Sequence, residues 1–83
     1  MQLHLSNLNR LTTTSQLIGL LIPFGFVTSA RLLCHARSGF STGEALVEME
    51  FSAGQSAIKA LNNLRFMNYF IHVEERFPLF LLL

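Results

Sequence analysis

Hydrophobic and polar residues alternate along four segments of the chain, which is the pattern of half-buried β-strands. The predicted strands cover residues 2–8, 26–36, 44–51 and 66–74. In the last of them Ile71 and Val73 should point inward. One face of the resulting sheet should therefore contact a core while the other stays open.

Two helical segments separate these strands. Thr13 and Gln16 have the spacing of a capping box, and the apolar residues behind them recur at helical spacing, which predicts a helix over residues 14–22. Ser52 is the predicted N-cap of a second helix, which has an apolar face and ends at residues 62–63.

The predicted element order is βαββαβ. This order is typical of an α+β, ferredoxin-like sandwich, in which two helices cover one face of a four-stranded antiparallel sheet. Residues 1–75 then form one domain, and residues 76–83 form an apolar C-terminal tail. The tail is expected to cover the core at the sheet edge, with a segment that docks a partner or touches a membrane as the alternative.

Composition agrees with a small folded domain. Hydrophobic residues make up 51% of the chain and charged residues 13%, which excludes disorder driven by charge. The net charge of +1 is small for a protein that would bind phosphates by Coulomb attraction alone. Cys34 is the single cysteine, and we find neither a secretory signal nor an apolar stretch of membrane-spanning length, so we expect an intracellular protein without membrane contact.

Enzymatic chemistry has no visible basis in the sequence. We find no nucleophile with its base, no paired carboxylates and no metal-binding motif. The residues that could suggest zinc, namely His4, Cys34, His35 and His72, have a spacing that matches no common zinc site. We therefore expect a non-enzymatic domain without a cofactor or metal.

Two motifs carry a resemblance to a known family. LHLSNL at residues 3–8 resembles the six-residue ribonucleoprotein motif of RNA recognition motif (RRM) domains, and TGEALVEM at residues 42–49 stands where the eight-residue motif of that family belongs. Its residues that fit the pattern are Gly43, Ala45 and Val47, and those that replace aromatic rings are Glu44, Leu46 and Met49.

A third segment resembles one subgroup of that family. LIPFGFVT at residues 21–28 is similar to the Leu-x-Pro-Phe-Gly-x-Val-Thr segment of RRM domains in the polypyrimidine-tract-binding protein and matrin group, and ALVEME at residues 45–50 also fits that group. This resemblance implies a module of a nuclear, splicing-type RNA-processing factor that binds short, pyrimidine-rich single-stranded RNA. The loop over residues 36–43 is longer than expected, so loop contacts of the family are not carried over.

The resemblance implies that RNA lies on the open sheet face. His4 takes the outward ring position of the first strand, and Leu33 and Leu46 form an aliphatic patch beside it. Glu44 either repels phosphate or accepts a hydrogen bond from an exocyclic amine of cytosine. The predicted RNA-binding residues are His4, Ser6, Arg31, Leu33, Glu44, Leu46, Phe70 and His72.

A protein-interaction module of the same fold, with little or no RNA affinity, is the alternative. The replaced rings, Glu44, the low net charge and the apolar tail all favour it. The open face or the first helix would then bind a peptide or a second copy of the domain.

Overall fold

The computed structural model describes residues 1–77 of the 83-residue chain. The elements in chain order are β1 (Gln2–Ser6), α1 (Thr14–Leu21), a 3-10 turn (Ile22–Phe24), β2 (Val27–Cys34), β3 (Ser41–Met49), α2 (Phe51–Leu61), β4 (Arg65–Phe66), β5 (Tyr69–Phe70) and β6 (His72–Glu75). Residues 78–83 lie outside the described part, so the division into a domain of residues 1–75 and a tail of residues 76–83 stays a prediction.

Four of the strands form one antiparallel sheet in the order β2-β3-β1-β6. β1 is therefore central and pairs with β3 on one side and β6 on the other. The two helices bury their apolar faces against one side of this sheet. The predicted α+β, ferredoxin-like sandwich is confirmed.

One hydrophobic core lies between the sheet and the helices. The predicted inward positions Ile71 and Val73 are both buried there. The buried apolar residues of the core are Leu3, Leu5, Leu8, Leu17, Leu21, Ala45, Val47, Met49, Ala53, Ala57, Leu61, Ile71 and Val73. Because every second residue of β1 and β3 belongs to this set, the residues between them are directed to the opposite face.

The first helix begins as its sequence predicts. The Thr13 hydroxyl accepts a hydrogen bond from the Gln16 amide at 3.2 Å, and the Thr13 amide donates to the Gln16 side chain at 2.9 Å. This reciprocal pair confirms the capping box. The α-helix ends at Leu21, and the chain tightens into a 3-10 turn that contains Pro23.

The second helix is capped by Glu50 rather than by Ser52, so that prediction is wrong. β3 ends at Met49, and the longer Glu50 side chain accepts hydrogen bonds from the Ala53 amide at 3.1 Å and the Ser52 hydroxyl at 2.7 Å. Ser52 is already inside the helix. The Ser52 hydroxyl is the main cause, followed by the backbone amides, of a lowered pKa of the Glu50 carboxyl.

This cap predicts a pH-dependent contribution to stability. A folded-state pKa below the ordinary 4.5 means that the stabilisation is present above pH 4.5 and is lost as pH falls through the lowered value. We expect Glu50→Gln to lower the melting temperature near neutral pH, with a difference from wild type that disappears well below pH 4.5. Thermal denaturation followed by circular dichroism measures this difference. A difference in melting temperature that persists at low pH would contradict the proposed cap. Glu48→Gln is the control, because Glu48 does not cap a helix.

The predicted fourth strand over residues 66–74 is divided in two. β4 and β5 form a hairpin that is closed by a two-residue turn. The turn residues, Met67 and Asn68, both have positive φ angles, 49° and 73°. The chain then enters the main sheet as β6 from His72. Positive φ is uncommon for residues other than glycine, so the methionine at this position does not predict a turn.

The loop between β2 and β3 is shorter than predicted. β3 begins at Ser41, three residues before the predicted start, so residues 35–40 alone connect the strands. The His35 amide donates to the Phe40 carbonyl oxygen at 2.8 Å, which closes the loop as a hairpin. This closure holds Phe40 at the end of the sheet, where its ring is exposed.

Candidate nucleic-acid interface

The sheet surface opposite the helices is the candidate interface, and we call it the open face. Burial alternates with exposure along its strands, so the open face carries the residues between the core positions. Its members include Gln2, His4, Ser6, Arg31, Leu33, Glu44, Leu46, Glu48, His72 and Glu74. Seven of the eight predicted contact residues belong to this set, and Phe70 does not.

One row of side chains crosses all four strands. Arg31 on β2 pairs with Leu46 on β3. Leu46 in turn pairs with His4 on β1, and His4 pairs with Glu74 on β6. Paired residues on one face lie within side-chain contact distance of each other. His4 is therefore central in this row, with an aliphatic neighbour on one side and a carboxylate on the other.

A second group of predicted residues lies at the level of Ser6. Ser6 pairs with His72 on β6, while Glu44 on β3 is one residue beyond the Leu5–Ala45 pair. Leu33 lies at a register shift of β2 and is half-buried. The register thus brings six of the predicted contact residues around His4.

Two carboxylates hold the imidazole of His4. Its Nε2 atom lies 3.1 Å from Glu44 Oε1, and its Nδ1 atom lies 3.4 Å from Glu74 Oε1. Ionised carboxylates only accept hydrogen bonds, so both contacts are hydrogen bonds only when the imidazole carries two protons. The His4 side chain is 20% exposed, and the ring is restrained at the centre of the sheet.

The charge on the open face is mainly negative. Glu44, Glu48 and Glu74 lie on this face, whereas Arg31 lies among them and Arg76 continues the same alternation just after β6, where its amide donates to the Gln2 carbonyl oxygen at 2.8 Å. A phosphate placed over His4 would meet two carboxylates at close range. Phosphate groups are therefore favoured away from His4, near Arg31 on β2 or near Arg76 after β6.

Phe70 was predicted on the fourth strand but lies in the β4–β5 hairpin. Its ring is exposed, and its carbonyl oxygen accepts a hydrogen bond from the Asn7 side chain at 2.9 Å. This bond places the hairpin beside the end of β1 rather than within the row of His4. Phe70 can contribute at the rim of the open face, and the open face itself has no aromatic platform among the described residues other than its histidines.

Several residues of this region were not among the predicted contacts. Glu74 and Glu48 reach the open face by the same alternation that placed Leu46 there, so the signal was present in the sequence. Arg10 lies close to Gly43 at the end of the sheet, a position that depends on the loop after β1 and that no local pattern indicates.

No group of three metal-ligating side chains comes together within residues 1–77. None of the helices in that range has the length and apolar character needed to cross a membrane. Cys34 is exposed and free.

Comparisons with known proteins agree with this architecture. The RNA-binding protein PG1 has a crystal structure that matches with a TM-score of 0.89 and 34% identity over 94% of this chain and 95% of that one. RNA recognition domains 1 and 2 of Sex-lethal from Drosophila melanogaster match with a TM-score of 0.84 and 27% identity, over 93% of this chain and 50% of that one.

A structure described as the Sxl-lethal protein/RNA complex also matches, with a TM-score of 0.86 and 27% identity over 93% of this chain and 47% of that one. No curated protein has a significantly similar sequence. The family model of the RNA recognition motif matches residues 3–72. The chain therefore belongs to the RNA recognition motif family.

Proposed function

We propose that this domain binds single-stranded RNA on its open face. The observation that carries the proposal is the position of His4, which lies at the centre of the sheet in the LHLSNL motif of an RNA recognition motif. RRM domains hold unstacked bases on the two central strands of their sheet. The Sxl-lethal relative, whose structure is described as a protein/RNA complex, supports RNA binding.

The contacts follow from the side chains of the open face. His4 can stack on one base, and Leu46 with Leu33 can cover an adjacent base or ribose. Ser6 and His72 offer hydrogen bonds at the next level of the sheet. Arg31 would pair with a backbone phosphate at the β2 side. With so little positive charge nearby, we expect modest affinity and a weak dependence on salt.

The finer assignment is that the RNA is pyrimidine-rich and that the domain is a module of a splicing-type RNA-processing factor in the nucleus. LIPFGFVT at residues 21–28 and ALVEME at residues 45–50 support it through their resemblance to the polypyrimidine-tract-binding protein and matrin group. The half-buried Leu46 supplies the aliphatic contact that this resemblance implies.

Truncation of His4 tests the mode of binding. We expect His4→Ala to weaken binding of a short pyrimidine-rich RNA about tenfold, since stacking of one base contributes about 1–3 kcal/mol. Fluorescence anisotropy of a labelled RNA gives the dissociation constants. Lys59→Ala on α2, which removes an exposed side chain from the helical side, should leave the affinity unchanged. Equal affinity of His4→Ala and wild type would remove His4 from the contact surface.

A protein-interaction module is the second candidate, and the three carboxylates of the open face favour it. A basic peptide could pair with Glu44, Glu48 and Glu74 while its aliphatic parts contact Leu46. The direction in which one substitution changes the binding affinity separates the two candidate functions. Glu48→Gln should strengthen binding of RNA, because it removes repulsion of phosphate, whereas it should weaken binding of a basic peptide.

A further inference from the structure

Glu44 is held in a defined position on the open face. Its Oε1 atom lies 3.1 Å from His4 Nε2, and its Oε2 atom lies 3.4 Å from the Thr42 hydroxyl, whose one proton is shared between this oxygen and the Leu33 carbonyl oxygen at 3.3 Å. The side chain is nevertheless 42% exposed. Each carboxylate oxygen has a second lone pair, so Glu44 can still accept hydrogen bonds from a ligand.

A base stacked on His4 would present one of its edges to this carboxylate. The Glu44 carboxylate lies within hydrogen-bond distance of the His4 ring. A base that lies over this ring therefore has one edge close to the Glu44 oxygen atoms. On the other side of the ring, Glu74 Oε1 lies 3.4 Å from His4 Nδ1. Arg31 is separated from His4 by Leu46 in the row. The surroundings of a stacked base are therefore dominated by acceptors.

Acceptors distinguish between bases by their exocyclic groups. Cytosine has an amino group at C4 that donates to a carboxylate. Uracil has a carbonyl oxygen there, and its one donor on this edge, N3–H, lies between two carbonyl oxygens that repel a carboxylate, so cytosine is the better partner. Repulsion also keeps phosphate away from this point, so the base rather than the backbone must occupy it.

We infer that Glu44 makes the open face select bases with an exocyclic amino group, so that cytosine is preferred to uracil among pyrimidines. The inference rests on the proposed RNA binding and adds the identity of the base at the central position. A carboxylate paired with the cytosine amine is expected to give a preference of about tenfold for one position.

The test compares oligocytidine and oligouridine of the same length near neutral pH. Wild type should bind oligocytidine about tenfold more tightly by fluorescence anisotropy. Glu44→Gln should bind both RNAs more tightly, because a negative charge is lost, but its amide both donates and accepts, so the ratio should fall toward one. Glu48→Gln removes the same charge from the same face without contacting His4. It should strengthen both affinities equally and keep the wild-type ratio.

The outcomes separate the inference from the proposed function. Equal affinity of wild type for the two RNAs would overturn base selection while leaving RNA binding in place. A cytosine preference that survives in Glu44→Gln would reflect stacking alone and would also overturn the role of Glu44. Failure of wild type to bind either RNA would overturn the proposed function itself. Because Glu44 lies outside the core, circular dichroism should show that both variants are folded.

Discussion

Leu5→Ala is expected to lower the free energy of unfolding by about 2–5 kcal/mol, which is the usual cost of removing a fully buried leucine side chain. Leu5 is 0% exposed and lies on the central strand, paired with Ala45 on one side and Val73 on the other. Domains of this size are stabilised by about 5–15 kcal/mol in total, so the variant would be close to unfolding.

Urea denaturation measures this loss as a lower midpoint at an unchanged slope. Leu11→Ala is the matched control, because it removes the same atoms from a side chain that is 81% exposed. Its effect should remain within about 0.5 kcal/mol. Similar losses in the two variants would contradict the assignment of the core to the inner face of the sheet.

Gly43→Ala is the second substitution with a large expected effect, roughly 2–4 kcal/mol of lost stability. Gly43 has a φ of 82°, which is unfavourable for alanine, and a Cβ atom there would lie 2.9 Å from the Leu8 carbonyl oxygen. The backbone at this point cannot easily move, because the Leu8 amide donates to the Gly43 carbonyl oxygen at 2.9 Å. The glycine of the family motif thus has a structural explanation in this chain.

Gly39→Ala separates the cost of the backbone conformation from the cost of the close contact with Leu8. Gly39 has a similar φ of 74°, but nothing lies within 4 Å of the place that a Cβ atom would take. Its substitution should cost about 1 kcal/mol, from backbone conformation alone. Chemical denaturation of the two variants gives the difference, which is the cost of the contact with Leu8. Equal losses would show that the close approach has no energetic effect.

Local patterns predicted the order of the elements and the inner face of the sheet. The Thr13–Gln16 capping box and the inward positions Ile71 and Val73 were predicted because each depends on neighbours close in sequence. The β4–β5 hairpin was missed because Met67 adopts a left-handed conformation that its type disfavours. Glu50 was missed as a cap because serine is the more usual capping residue, whereas the helix begins at Phe51 and the Glu50 carboxylate accepts from the Ala53 amide.

Most residues of the open face were predicted from the sequence, but their arrangement was not. Alternation placed His4 and Leu46 on the open face, yet their pairing with Arg31 and Glu74 depends on strand register, which local patterns do not determine. The consequence is chemical, because register brings the Glu74 carboxylate to the second ring nitrogen of His4. His4 was predicted as an outward residue in the ring position of the first strand, and its imidazole lies between two acceptors.

The central claim is that the open face, and not the helical side, binds single-stranded RNA. The most direct test is a titration of the isotopically labelled chain with a short pyrimidine-rich RNA, followed by amide NMR shifts. We predict shifts at His4, Leu33, Leu46 and His72, with Lys59 on α2 unaffected. No shifts up to about millimolar RNA, or shifts confined to the helices, would contradict the claim.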